Sequence, residues 1–162
     1  MGKSTIARVQ HAAGVIVGYR VDWSNADNSS DAESSDGESL DLSGVRILIV
    51  EDSWQLGIAL KSLLLAWGAD VSGPVATSAD AQRLASEQAP HAALVDFSLR
   101  GGERADGLVD ELHDQGVYVI VTSGYPVLPV VLRHAAAILQ KPLSEAQLLG
   151  SLRPVLARKA QP

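Results

Sequence analysis

From position 45 onward, short apolar runs alternate with amphipathic segments, the pattern of repeated βα units around a parallel sheet. VRILIV at 45–50 is a continuous, β-branched run, as expected for a strand covered on both faces. A helix is predicted over 54–67, with Ser53 as its N-cap and Gly68 as its stop. A second strand over 69–76, weakened by Gly73 and Pro74, leads into a helix capped by Ser78. AALVDF at 92–97 reads as the third strand, followed by a glycine-containing loop and a helix over 106–114. VYVIVT at 117–122 is the fourth strand; the helix expected near 127–134 is short and interrupted by Pro129. AAILQ at 136–140 makes the fifth strand, and Ser144 with Gln147 three residues on forms a capping box for the last helix. Five such units predict one doubly wound α/β domain: a five-stranded parallel sheet with helices on both faces.

The pattern is lost upstream of Gly44, where a domain boundary is expected. Residues 24–43 have almost no apolar content and read as a disordered acidic, Ser-rich linker. The preceding extension, 1–23, holds one apolar run at 12–21, broken by Gly14 and Gly18, that suits a weak strand, a docking peptide or nothing ordered. GKST at 2–5 ends like a phosphate-binding loop but lacks the upstream glycine and the preceding strand, so it is read as chance. Residues 44–159 form the expected domain and 160–162 a short tail.

Composition narrows the classes further. The net charge of −6 resides mostly in 24–41, with six acidic residues, six serines and no Lys or Arg, whereas 44–162 carries ten basic and twelve acidic side chains. Without a basic stripe, nucleic acid is not an expected partner. With no cysteine, disulfide scaffolds, thiolate metal sites and thiol catalysis are excluded. No apolar stretch approaches the roughly 20 residues of a membrane span and no signal peptide is evident, so the cytoplasm is the expected location.

In doubly wound sheets, sites form beyond the carboxyl ends of the strands. Those ends gather Glu51 and Asp52 after the first strand, Asp96 at the end of the third, Ser123 after the fourth and Lys141 after the fifth. Three carboxylates in one cleft repel one another and either bind protons or recruit a cation. Oxygen donors without His or Cys favour a hard divalent ion, and Mg²⁺ suits an open carboxylate cluster that also meets phosphate. Lys141 and Ser123 would face the oxygens of a transferring phosphoryl group, and Asp96, central in the cluster, is the best candidate nucleophile.

RILIVED (46–52), LVDFSL (94–99), VTSGY (121–125) and QKP (140–142), in this order and spacing, resemble the receiver domain of two-component response regulators over residues 45 to about 157. The resemblance implies a flavodoxin-like strand order of 2-1-3-4-5. It implies that Glu51 and Asp52 hold Mg²⁺, with Asp52 the closer ligand, that Asp96 is the phosphoacceptor, and that the backbone carbonyl of Ser98 completes the metal site. It further implies that Ser123 rather than Thr122 is the switch hydroxyl, that Lys141 is the family's lysine, and that the peptide before Pro142 is cis. The implied partners are a sensor histidine kinase or a histidine phosphotransfer protein, and a homodimer is compatible with them. No output region is recognised after residue 159, so output by protein contact is expected, from a single-domain regulator that catalyses only its own phosphoryl transfer and dephosphorylation.

The chain also departs from the family pattern. Ile138 stands where many receivers carry an aromatic switch residue, the loop from Asp96 to Asp106 and Gly107 is long, and the segment from Ser123 to Lys141 is short. The SGY ending of the fourth strand resembles single-domain alphaproteobacterial receivers with a TGY-type motif. Three rivals weigh less. A haloacid-dehalogenase-type phosphatase would place a second Asp two residues after the nucleophile, where Ser98 stands. A flavin mononucleotide module would need a Ser/Thr/Gly-rich loop in place of EDSWQLG. A receiver-shaped adaptor that takes no phosphate would not need all five pocket residues. His11, His91, His113 and His134 show no ligand spacing, Trp54 and Trp67 are expected to pack, and Arg100 and Arg104 are read as an ordinary solvated loop.

Overall fold

The computed structural model describes the backbone of residues 15–17 and 20–21, and residues 40–159 in full. GKST, His11, nearly all of the acidic linker and the tail 160–162 lie outside the described residues. Two short strands, β1 (Val15–Val17) and β2 (Arg20–Val21), precede the main domain. The domain then runs β3 (Arg46–Val50), α1 (Trp54–Ala66), β4 (Asp70–Val75), α2 (Ser78–Gln88), β5 (Ala92–Asp96) and α3 (Asp106–Asp114). It closes with β6 (Tyr118–Ser123), β7 (Ala137–Gln140), β8 (Leu143–Ser144) and α4 (Glu145–Lys159).

The main sheet is parallel and ordered β4-β3-β5-β6-β7, which is 2-1-3-4-5 when its strands are counted alone. This is the expected doubly wound, flavodoxin-like architecture. Alternation along the strands sorts the core into two layers. Ile47, Ile49, Leu94 and Ile120 meet Leu60 and Leu64 of α1 and Leu148 and Leu152 of α4. Leu48, Val50, Val95, Val119 and Val121 meet Ala81 and Ala85 of α2 and Leu108 and Leu112 of α3. Every residue of β5 is buried, as a central strand between two helical layers requires.

Local chemistry sets the element ends. Ser53 caps α1 by accepting the Leu56 N–H, and Gly68 follows at φ 89°. At α4 the reciprocal capping box forms: Ser144 N–H donates to Gln147 Oε1 (3.1 Å) and Gln147 N–H donates to Ser144 Oγ (3.2 Å). On β4, Gly73 has φ 89°, and a Cβ there would collide with the carbonyl oxygen of Ile49, so the kink beside β3 admits only glycine. The peptides before Pro74 and Pro142 are both cis.

Three details differ from the sequence reading. Thr77, not Ser78, caps α2, because Thr77 has the extended backbone of a cap and its side chain accepts the Asp80 N–H. Packing extends upstream of Gly44: Leu40 lies against the core, and Leu42 is fully buried with its N–H donating to the Trp67 carbonyl (2.7 Å). No helix forms over 127–134; the segment from Gly124 to Ala136 is turns and bends, consistent with Pro126 and Pro129 removing two backbone donors within four residues. For the apolar run at 12–21 the strand alternative is the one formed: residues 15–17 and 20–21 are paired antiparallel, and β1 also pairs with β8.

Candidate phosphoryl-acceptor site

The carboxyl ends of β3, β5, β6 and β7 converge, and charged side chains gather there although the strands beneath them are mostly apolar. Glu51 and Asp96 are buried, at 3% and 6% exposure, while Asp52 is open to solvent. One carboxylate oxygen from each of Glu51, Asp52 and Asp96 lies within 4.8 Å of the others. Lys141 enters from the end of β7: its Nζ donates to Asp96 Oδ2 at 2.8 Å and to Glu51 Oε2 at 3.0 Å. The Lys141 main chain is fixed as well, its N–H donating to the Ser123 carbonyl (2.8 Å).

The second oxygen of each buried carboxylate is satisfied locally. Ser53 N–H donates to Glu51 Oε1 (3.0 Å) and Ser98 N–H donates to Asp96 Oδ1 (3.1 Å). Two carboxylates and one ammonium in a buried site leave the electrostatics unbalanced. Burial and the neighbouring Asp96 carboxylate push Glu51 up to about 7, against the opposing pull of the Lys141 ammonium. Burial would lower Lys141, but its hydrogen bond to Asp96 and its attraction to Glu51 and Asp96 outweigh this and hold it above its ordinary value.

Ser123 ends β6 and is almost fully buried; in the parallel register Thr122 lies beside Asp96, which puts Ser123 one residue beyond it. Its Oγ accepts the Tyr125 N–H (3.0 Å), and the Tyr125 ring meets Phe97 edge-on at 6.1 Å between centroids. Tyr125 had no signal in the sequence beyond its place in SGY, because its partner Phe97 is reached only across the β5–β6 pair. Ser98 lies beside Asp96, and a bridge between Ser98 and Arg104 closes the long loop into a narrow turn. That loop is tied down by Arg100 N–H donating to the Ala76 carbonyl (3.2 Å). Arg104 is turned to Asp106 at 3.5 Å.

The remaining candidates lie elsewhere. His91 accepts the Arg46 N–H at the opposite end of the sheet (3.0 Å), while His113 and His134 stack on each other, His134 with its Nδ1 on Asp110 (2.8 Å). Trp67 packs in the core as expected, but Trp54 does not: it is 67% exposed on the first turn of α1, two residues from Asp52. A groove of about 480 Å³ opens beside Ser123, lined by Tyr125, Leu128, Val131 and Ile138 among others, where the missing helix would have lain.

No protein-family model matches the sequence, and no curated protein is significantly similar to it. The fold does have close counterparts. It is similar to the receiver domain of the response regulator PhyR from Erythrobacter litoralis, with 25% identity and a TM-score of 0.65 over 74% of this chain and 95% of that one. It is similar, again at 25% identity, to the signal receiver domain of a modulated diguanylate cyclase from Desulfovibrio desulfuricans, with a TM-score of 0.63 over 70% of this chain and 94% of that one. A CheY-like receiver domain from Methylobacillus flagellatus shares the fold at 24% identity, with a TM-score of 0.58 over 70% of this chain and 97% of that one. The structural neighbours are thus response-regulator receiver domains, and 40–159 has their fold. Among the described residues no helix is long and apolar enough to cross a membrane.

Proposed function

We propose that this chain is a phosphorylation-controlled switch of a two-component phosphorelay, with Asp96 as the acceptor. The observation that carries the reading is the Asp96 carboxylate itself. It is buried at the end of the central strand, grouped with Glu51 and Asp52 on one side and held by Lys141 on the other. A structural ion pair would need one carboxylate for one ammonium; three carboxylates on three adjoining positions suit a site that receives a cation and a phosphate.

In the proposed transfer a carboxylate oxygen of Asp96 attacks the phosphorus of a phosphohistidine on a sensor histidine kinase or histidine phosphotransfer protein. The P–O bond to Asp96 forms as the P–N bond breaks, and the leaving imidazole nitrogen takes up a proton. Hydrolysis later returns Asp96 and releases inorganic phosphate. The carboxylates of Glu51, Asp52 and Asp96, with the Ser98 carbonyl, are the residues that would hold Mg²⁺; their all-oxygen chemistry fits that ion. When bound, the ion supplies positive charge against the phosphoryl oxygens. Lys141 already reaches Asp96 and would neutralise one phosphoryl oxygen; Ser123 would turn its hydroxyl from the Tyr125 N–H to another.

The output is a changed surface read by another protein. The SGY ending of β6 supports a place among TGY-type receivers, and exposed Tyr125, Val131 and Ile138 beside Ser123 offer a contact area in place of an aromatic at 138. The test is intact-mass measurement after incubation with acetyl phosphate, with and without Mg²⁺. The expected result is a labile gain of one phosphoryl group that needs Mg²⁺ and is lost in Asp96→Ala. A folded, Mg²⁺-replete chain that gains none from acetyl phosphate or from a phosphohistidine protein would overturn the reading in favour of a receiver-shaped adaptor.

A further inference from the structure

The N-terminal strand pair lies outside the five-stranded parallel sheet whose strand ends build the acceptor pocket. β1 pairs with β2 through Ile16 with Val21 and Val17 with Arg20, and on its other edge with β8 through Val15 with Ser144 and Ile16 with Leu143. The three strands form a second, antiparallel sheet in the order β2-β1-β8. Val17 and Arg20 are paired directly, with two residues between them in the sequence.

Ladder geometry fixes which groups hold this pair together. In a hairpin with a two-residue connection the closing pair exchanges hydrogen bonds, and along an antiparallel strand successive residues direct their N–H and C=O to opposite edges. Val17 and Arg20 being the closing pair, Ile16 directs its N–H and C=O to β8, where it faces Leu143. The other side of β8 agrees: the Ser144 N–H is already committed to Gln147 Oε1, so the Val15 and Ser144 pair is the one without ladder bonds. Ile16 with Leu143 is therefore the hydrogen-bonded contact.

Its position matters because of what precedes it. Leu143 is buried in the core, and two residues before it Lys141 holds Asp96 and Glu51 while its own N–H is fixed to Ser123. The four residues 141–144 thus join the acceptor pocket at one end to β1 at the other.

We propose that the strand pair β1–β2 is an intramolecular strap on β8 whose docking is coupled to the acceptor pocket through the segment 141–144. Docking holds the main chain beyond Lys141 and keeps the ammonium on Asp96 and Glu51; a change at Asp96 that draws Lys141 elsewhere shifts the strap. Thermodynamic linkage makes the effect reciprocal, so releasing the strap alters the pocket by the same factor.

The experiment is amide hydrogen exchange on the full chain, comparing wild type, Ile16→Pro and Asp96→Asn. Wild type should show protection in 15–21 of about tenfold or more over unstructured chain. Ile16→Pro, which removes the donor facing Leu143, should abolish that protection. Asp96→Asn, which removes the charge that Lys141 meets, should change it by about fivefold. Unprotected amides at 15–21 in wild type, or protection that survives Ile16→Pro, would overturn the docking; identical protection in wild type and Asp96→Asn would overturn the coupling. A further arm rests on the function proposed above: the half-life of the phosphoryl group at Asp96 should differ between wild type and Ile16→Pro. The exchange arms need no phosphate, so a chain that takes up no phosphoryl group fails that function while the strap is still decided.

Discussion

Two crossovers flank β6, and they are built in opposite ways. The one before it, from Asp96 through α3 to Val117, buries Leu99, Ala105, Leu108, Val109 and Leu112 and ties its loop to the neighbouring α2 connection. The α2–α3 contact is closed by a hydrogen bond between Gln82 and Glu111. The one after it, from Gly124 to Ala136, has no helix and leaves Tyr125, Val127 and Val131 exposed, at 52%, 83% and 84%. Correspondingly β5 is buried throughout, whereas β7 alternates between half-buried and exposed. Both strands nevertheless deliver a residue to the same pocket, Asp96 and Lys141. The difference teaches that Lys141 is placed by its N–H to Ser123 and by the following peptide into buried Leu143, without a helix in the crossover that precedes its strand.

The largest consequence falls on the packed crossover. Leu112→Ala, at a fully buried position, should lower stability by about 2 to 5 kcal/mol in urea unfolding, because the surrounding core of β5, β6 and α2 cannot collapse onto the gap. A smaller loss would mean that this crossover is as loosely held as the other.

The pocket gives the next effect. Glu51 has its folded value raised to about 7, above the ordinary carboxylate value it regains on unfolding. Its contribution is fully present below the unfolded value and is lost as pH rises through the folded one, so between about pH 4.5 and 7 this group makes the metal-free protein less stable as pH increases. In Glu51→Gln that part of the pH dependence should vanish and stability at pH 8 should rise, as read from denaturation midpoints with chelator present. A wild-type slope equal to that of Glu51→Gln would contradict the electrostatics derived for the site.

The smallest effect sharpens the contrast from the open side. Val131→Ser should change stability by no more than about 0.5 kcal/mol, since the side chain is 84% exposed. A loss comparable to that of Leu112→Ala would show that 124–136 packs like the earlier crossover.

These asymmetries also explain what could be read from sequence. The strands were legible because β-branched runs such as VRILIV sit where both faces are covered, and the strand-end rule brought Glu51, Asp52, Asp96, Ser123 and Lys141 to one end of the sheet although Lys141 and Glu51 stand 90 positions apart. The capping box at Ser144 was legible because both partners lie within one turn. What escaped depends on distant partners. Leu42 is an isolated apolar residue after an acidic stretch, and only the Trp67 carbonyl and the α1–α4 core give it a place. The pairing of residue 16 with residue 143 leaves no periodic trace in either segment. Thr77 against Ser78 is a choice between adjacent good caps, settled by which residue leaves the strand in an extended conformation.

The central claim is that Asp96, rather than Glu51 or Asp52 beside it, carries the phosphoryl group. The direct measurement is borohydride reduction of the chain after incubation with acetyl phosphate and Mg²⁺, followed by peptide mass mapping, because an acyl phosphate is reduced to the alcohol while free carboxylates are not. The account predicts homoserine at position 96 and unchanged residues at 51 and 52; a reduced side chain at either of those positions, with Asp96 intact, would contradict it.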